Sequence, residues 1–307
     1  MTMNIIVTGG AGFVGSHLVQ HLISKNYFPI IIDNLSSGNY ANIKKFIDSG
    51  KAKFLKIDIR NFHDVLKIPH ASTIVHLAAI ASVVESIKNP TYVNDVNVTG
   101  TLNMLELCRK KNIKKFVFAS SAAIFGNYDK KLSESSPIVP STVYGSTKFT
   151  GEQYCRIYAE LFGIKSVALR PFNIYGPRQN NAYAGVISKF MSRIVSNKPP
   201  VIFGDGRQTR DFIHVADVAN AFEKAISYKN HVFDVFNLGT GKTISVNQLA
   251  KIFLKLAKKE YLKPIHKDPV PGVVIHNSTS INKIKNTLKF KPKVTLSEGI
   301  SKLLNKT

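Results

Sequence analysis

The chain has 307 residues, 44% of them hydrophobic, enough to fill a large α/β core. Lys and Arg number 42 against 19 Asp and Glu, for a formal charge of +23. That excess is mostly lysine, spread as pairs such as Lys44-Lys45 and Lys258-Lys259 and not gathered into an arginine-rich patch with interleaved aromatics, so no nucleic-acid partner is expected. No signal-peptide pattern and no uninterrupted apolar run of about 18 residues is present, so no membrane contact is expected. Cys108 and Cys155 stand far from any CxxC spacing, and two free thiols, no metal site and a cytoplasmic setting are expected.

In chain order, Asn4 to Thr8 is a short apolar run that ends in a glycine cluster, and a helical pattern follows from Val14 to Lys25. Apolar strands are predicted at Phe28 to Asp33, Lys53 to Asp58 and Ser72 to Leu77. A long helical pattern runs from about Pro90 to Lys111, with Val96, Leu102, Leu105 and Leu107 as its stripe. A strand at Phe116 to Ser120, a helix at Val143 to Phe162 and a strand at Ser166 to Arg170 complete the first half. Strands apolar on both faces that alternate with helices predict an α/β fold, a doubly wound Rossmann-type parallel sheet. Beyond Phe172 prolines punctuate the chain and helices shorten, which predicts a smaller mixed α/β lobe. The expected division is 1–172 for the sheet domain, with a return to it near 212–240, and 173–307 for the lobe.

Gly9, Gly12 and Gly15 give the spacing GxxGxxG between a strand and a helix. Glycines there permit a tight turn and close backbone approach to a pyrophosphate, and the helix N-terminus offers free N–H groups. Asp33 ends the second strand, where a carboxylate accepts hydrogen bonds from a ribose and repels a 2′-phosphate, so NAD is favoured over NADP. Asp58, ending the third strand, falls near the adenine. Tyr144 and Lys148 stand at i and i+4 on one helix face. An ammonium beside the phenol, together with the positive nicotinamide of NAD⁺, favours the phenolate, so Tyr144 is predicted to act as a base of lowered pKa. Ser120 and Ser121 end the fifth strand at the carboxyl edge, where such sheets bind ligands, and a hydroxyl there can share the proton of an alcohol. On residue chemistry alone this is a site for reversible alcohol oxidation.

These residues carry a resemblance to the extended short-chain dehydrogenases/reductases, in particular to nucleotide-sugar epimerases of the UDP-glucose 4-epimerase group. It rests on VTGGAGFVGSH at 7–17, DNLSSG at 33–38, HLAA at 76–79, NVTGT at 97–101, SSAAIFG at 120–126, YGSTK at 144–148, LRPFNIYGPRQ at 169–179 and GDGRQTRDFIHVADVA at 204–219. The resemblance implies catalytic roles for Ser121, Tyr144 and Lys148. It implies cofactor contacts at Gly9, Gly12, Phe13, Val14, Gly15, Asp33, Asn34, Ser36, Ser37, Gly38, Asp58, Ile59, Leu77, Ala78, Ala79, Asn97, Tyr144, Lys148 and Phe172. Substrate contacts are implied at Ser121, Tyr144, Asn173, Arg210 and Asn277, with Arg210 suited to a diphosphate by its planar fork.

The implied reaction is C4 epimerisation of a UDP-sugar, UDP-glucose/UDP-galactose or the N-acetylated pair, through a 4-keto intermediate with NAD restored in each cycle. Related dehydratases resemble the chain but carry an acidic pair where Ala122 and Ala123 stand, and related decarboxylases a glutamate at Ala123. A non-catalytic NAD-binding or RNA-binding relative would be expected to lose the Tyr-Lys pair that this chain keeps. Other reactions of the group, a reductase or a C5-epimerase, stay open at this point. Two departures stand out. Val270-Pro271-Gly272-Val273 replaces a usual Arg-Pro-Gly-Asp run, with Lys267 as a substitute point charge, and Asn277 stands where some relatives have a tyrosine. The resemblance also implies a homodimer through helices near 92–111 and 144–162.

Overall fold

A computed structural model of the chain describes residues 2–128, 130–179, 185–229, 232–269 and 276–305, the side chains of His276 and Asn277 excepted. The strands are β1 Asn4–Thr8, β2 Phe28–Asp33, β3 Lys53–Lys56, β4 Thr73–His76, β5 Lys115–Ala119, β6 Lys165–Pro171 and β7 Asn173–Tyr175. They continue as β8 Val201–Phe203, β9 Thr209–Arg210, β10 Phe212–His214, β11 Phe233–Leu238, β12 Ile244–Ser245, β13 Ile265–Lys267 and β14 His276–Asn277. The helices are α1 Phe13–Ser24, α2 Lys44–Asp48, α3 Phe62–Val65, α4 Val83–Lys88, α5 Pro90–Asn94, α6 Gly100–Lys110 and α7 Val143–Phe162. After them come α8 Val186–Val195, α9 Val215–Ser227, α10 Val246–Leu256, α11 Asn282–Thr287 and α12 Leu296–Leu304.

Seven strands form one parallel sheet in the order β11-β6-β5-β4-β1-β2-β3. Residues on both faces of its strands are buried, as Ile5, Ile6 and Val7 are on β1. One face packs against α1 and α9 through Leu18, Val19, Val218 and Phe222. The other packs against α6 and α7 through Met104, Leu105, Cys108 and Cys155. Burial of that apolar surface is the main force that orders these layers. Every parallel strand ends on the same edge, and chain order reverses between β1 and β4, which opens a crevice there. The sheet recruits its last strand late: β11 pairs with β6 from Phe233↔Ser166 to Leu238↔Pro171.

A separate apolar cluster, with Phe190, Ile194, Leu249, Phe253 and Ile300, joins α8, α10 and α12 into a lobe beside that edge. Short strand pairs link it to the sheet domain; β7 pairs with β10, and β9 lies between β12 and β14. Among the described residues no helix is long and apolar enough to cross a membrane.

The helix expected across 90–111 is interrupted. Asp95–Thr99 forms a π-turn between α5 and α6, a one-residue accommodation of the kind found at functional sites. It presents Val96 to the crevice and buries Asn97. Strand ends also shift slightly: β3 stops at Lys56, so Asp58 belongs to the loop beyond it, and β5 stops at Ala119, which leaves Ser120 and Ser121 free of the ladder.

Candidate active site

The crevice is a cavity of about 320 Å³ lined by residues from four strand ends and the first turn of α1, including Gly9, Gly12, Phe13, Asp33, Asp58 and Leu77. Gly9 has φ +67°, and a Cβ there would fall 2.8 Å from Ala78 N. A Cβ at Gly15 would fall 2.1 Å from Gly9 O. The glycine turn is therefore pressed against both the β4 loop and α1, and its outer side stays open for a ligand's phosphates.

Asp33 is held from two sides, its Oδ2 accepting from Ala11 N at 3.0 Å and its Oδ1 from Leu35 N at 2.8 Å. Burial raises its pKa, and the two N–H donors oppose that rise. Gly38 leaves room for this carboxylate, since a Cβ there would approach both oxygens at 2.9 Å. Ser36, Ser37, Ala78 and Ala79 line the same cavity, and Asn34 lines it while its side chain accepts from Ser36 N.

Asp58 is more heavily engaged than its sequence position suggests. It accepts from Arg60 N, Nε and Nη2 and from Asn34 Nδ2. Arg60 is the largest cause that drives its pKa down to about 2. Arg60 also reaches Asp95 of the π-turn at 3.4 Å and lies over the Tyr92 ring. Sequence reasoning missed this arginine, because its second acid and its ring come from a distant helix. Ile57, Ile59, Ile80 and Val96 surround this end of the cavity with apolar surface suited to a flat base.

Ser121, Tyr144 and Lys148 are brought together beyond β5. Thr142 caps α7 by accepting from Gly145 N at 3.0 Å, which fixes the start of the helix that carries Tyr144 and Lys148. The Ser121 hydroxyl accepts from Ala123 N and lies beside the Tyr144 phenol. Burial raises the phenol's pKa, and the Ser121 hydroxyl works against that rise. Lys148 Nζ donates to Ala119 O at 2.9 Å, and among the protein groups alone desolvation is the largest influence on the phenol. Burial likewise lowers the Lys148 pKa to about 8.

A buried chain of hydrogen bonds runs beneath the crevice. Thr8 Oγ1 meets His76 Nδ1 at 2.7 Å and accepts from Leu77 N and Ala78 N. His76 Nε2 meets Thr101 Oγ1 at 3.1 Å, and Thr101 donates to Asn97 O. Asn97 Nδ2 donates to Thr147 Oγ1, which donates to Tyr144 O. Asn97, expected at the cofactor, has its side chain bonded within the fold. It is 2% exposed, accepts from Ile80 N and donates to Ile80 O, and it ties the β4 loop to α7. Burial first and Lys148 second drive the His76 pKa down to about 3, so His76 is neutral.

Phe172 packs with Ile124, Phe125 and Leu132 beside the ends of β5 and β6. Asn173 follows it, its Nδ2 donating to Asp211 O at 2.8 Å. Arg210 donates to Thr209 O, and desolvation lowers its pKa. The backbone of Asn277 is paired beside Arg210; its side chain, with Val270 and Val273, lies outside the described residues. Lys267 is exposed on β13. The cavity wall also includes Ile174 and Gln179, two residues that sequence reasoning did not single out.

The chain matches the NAD dependent epimerase/dehydratase family over residues 5–239. It belongs to that family. The family's nucleotide-sugar enzymes include proteins similar to this chain along its whole length. A Methanocaldococcus jannaschii protein provisionally named a UDP-glucose 4-epimerase is 43% identical over 98% of this chain and 97% of its own. The UDP-glucose 4-epimerase of Thermotoga maritima, solved with UDP-glucose, is 36% identical with a TM-score of 0.93, covering 99% of this chain and 98% of its own. A UDP-N-acetylglucosamine 4-epimerase of Methanobrevibacter ruminantium, solved with UDP-N-acetylmuramic acid, is 35% identical with a TM-score of 0.92, covering 100% of this chain and 99% of its own.

Proposed function

We propose that the chain binds NAD in the glycine-lined cavity and catalyses reversible C4 epimerisation of a UDP-sugar, UDP-glucose/UDP-galactose or the N-acetylated pair. The observation that carries this reading is the Ser121 hydroxyl set beside the buried Tyr144 phenol, with Lys148 one helical turn on, followed by Ala122 and Ala123, which offer no carboxylate for dehydration. The cavity suits the dinucleotide: glycines that cannot bear a Cβ line it where phosphates would lie, and Asp33 lines it where it would accept from a ribose.

Bound NAD supplies a hydride acceptor and, after it, a hydride donor. Tyr144 takes the proton of the sugar 4-hydroxyl, and Ser121 shares it. Burial opposes ionisation of the phenol, so its charge depends on the cations brought beside it. With a pKa of about 8, Lys148 is mostly an ammonium at neutral pH and serves that role. With no carboxylate at 122–123 to assist elimination, the 4-keto sugar would be reduced again, to the starting sugar from one face or to its C4 epimer from the other. Asn173 and Arg210 would hold the diphosphate about which the sugar turns.

The reading also includes self-association through α5, α6 and α7, which leave Tyr92 36%, Leu161 70% and Phe162 41% exposed. Incubation with UDP-glucose, and separately with UDP-N-acetylglucosamine, followed by proton NMR, tests the reaction. The galacto epimer of one or both is expected. Two unchanged substrates, with NAD supplied in excess, would refute it.

A further inference from the structure

Beside the first turn of α1 the chain crosses from the sheet domain to the lobe through a pinned turn. Gly176 has φ +152°, and a Cβ there would meet Val215 Cγ1 at 2.5 Å. Arg178 takes φ +67°, a left-handed conformation that side chains other than glycine adopt at a cost. Two contacts with the flank of α1 hold that conformation. His17 Nε2 meets Pro177 O at 3.0 Å, and Arg178 Nη2 donates to Gln20 Oε1 at 2.8 Å. The next residue, Gln179, is delivered to the wall of the cavity beside Gly12, Phe13 and Val14. Its Oε1 accepts from Ser188 Oγ of α8 at 2.9 Å. With the oxygen so anchored, the amide's Nε2 is the end left to meet a ligand.

We propose that Gln179 is a further cofactor-binding residue, whose Nε2 donates to the pyrophosphate from the side opposite the α1 N–H groups. This rests on the reading of the cavity as the NAD site. The α1 N-terminus approaches phosphate from one side only, and the glycines beside it bring no side chain. A neutral amide completes the shell from the lobe side without another charge. Ser188 then acts as a positioning residue, and the strained 176–178 turn sets the amide's place along the pocket.

The test is calorimetric titration of the nucleotide-free protein with NAD, with ADP-ribose, which keeps the pyrophosphate, and with adenosine, which lacks it. Gln179→Ala is expected to weaken NAD and ADP-ribose by about tenfold or more, the size of a hydrogen bond to a charged group, and to leave adenosine within about twofold. Ser188→Ala, which frees the amide to rotate, is expected to weaken the same two ligands by a smaller factor, about threefold. Unchanged NAD and ADP-ribose affinity in Gln179→Ala would overturn the proposal while leaving the NAD reading intact. Equal losses for all three ligands would also overturn it, because that pattern reports a damaged pocket. If the unaltered chain bound neither NAD nor ADP-ribose, the proposal and the reading beneath it would fall together.

Discussion

Tyr144 meets two opposing demands. Its burial raises the phenol's pKa, while the proposed chemistry needs the phenolate, and Ser121 works against that rise. Tyr144→Phe removes the proton acceptor and little volume, so turnover is expected to fall by about a hundredfold or more with NAD affinity kept. Turnover by NMR and NAD binding by calorimetry separate those effects; near-normal turnover would remove Tyr144 from the mechanism. His76 gives a pH dependence of known sign. Its folded pKa of about 3 lies below the ordinary 6.5, so only the unfolded chain takes up this proton as pH falls between those values. The associated stability is complete above about pH 6.5 and is lost progressively toward pH 3. Thermal melts across that range are expected to show a shallower acid loss in His76→Gln than in the parent. Tyr144 and Lys148 were legible because an i, i+4 pair is local in sequence. Arg60 and Gln179 were not, since what gives each its place comes from the π-turn or from α1 and α8, and no short motif encodes those contacts.

Among elements, α7 and β6 are joined by an ion pair that is almost fully buried. Arg170 Nε and Nη2 donate to the two Glu152 oxygens at 2.8 and 2.7 Å, with side chains 3% and 2% exposed. Breaking it from one side strands a buried charge, so Glu152→Ala is expected to cost about 3–5 kcal/mol. Replacing both partners by Met and Leu is expected to cost much less. Urea unfolding of the two variants decides this, and equal losses in both would contradict it. Glu152 lies one turn beyond Lys148, so the pair holds that stretch of α7 against β6. The π-turn at Asp95–Thr99 was not legible from 90–111. An apolar stripe tolerates one extra residue without losing its period, and what specifies the turn is Asn97 meeting Ile80 and Thr147 far away.

Across the whole molecule, the sheet was legible because its strands are apolar on both faces and helices separate them. A return to the sheet near 212–240 was legible too, but the place of β11 beside β6 was not, because it depends on packing across the full chain. The lobe was legible only as an irregular region; its core assembles from α8, α10 and α12, each amphipathic but separated by turns and short strands. Self-association belongs to this scale. Sedimentation velocity is expected to show a dimer, and Leu161→Glu to shift it toward the monomer; a concentration-independent monomer in the parent would exclude the proposed face. The central claim is that hydride leaves C4 and returns to the same carbon. UDP-glucose deuterated at C4 tests it most directly. The account predicts UDP-galactose with deuterium still at C4. Deuterium lost to water, or moved to C6 with elimination of water, would contradict it.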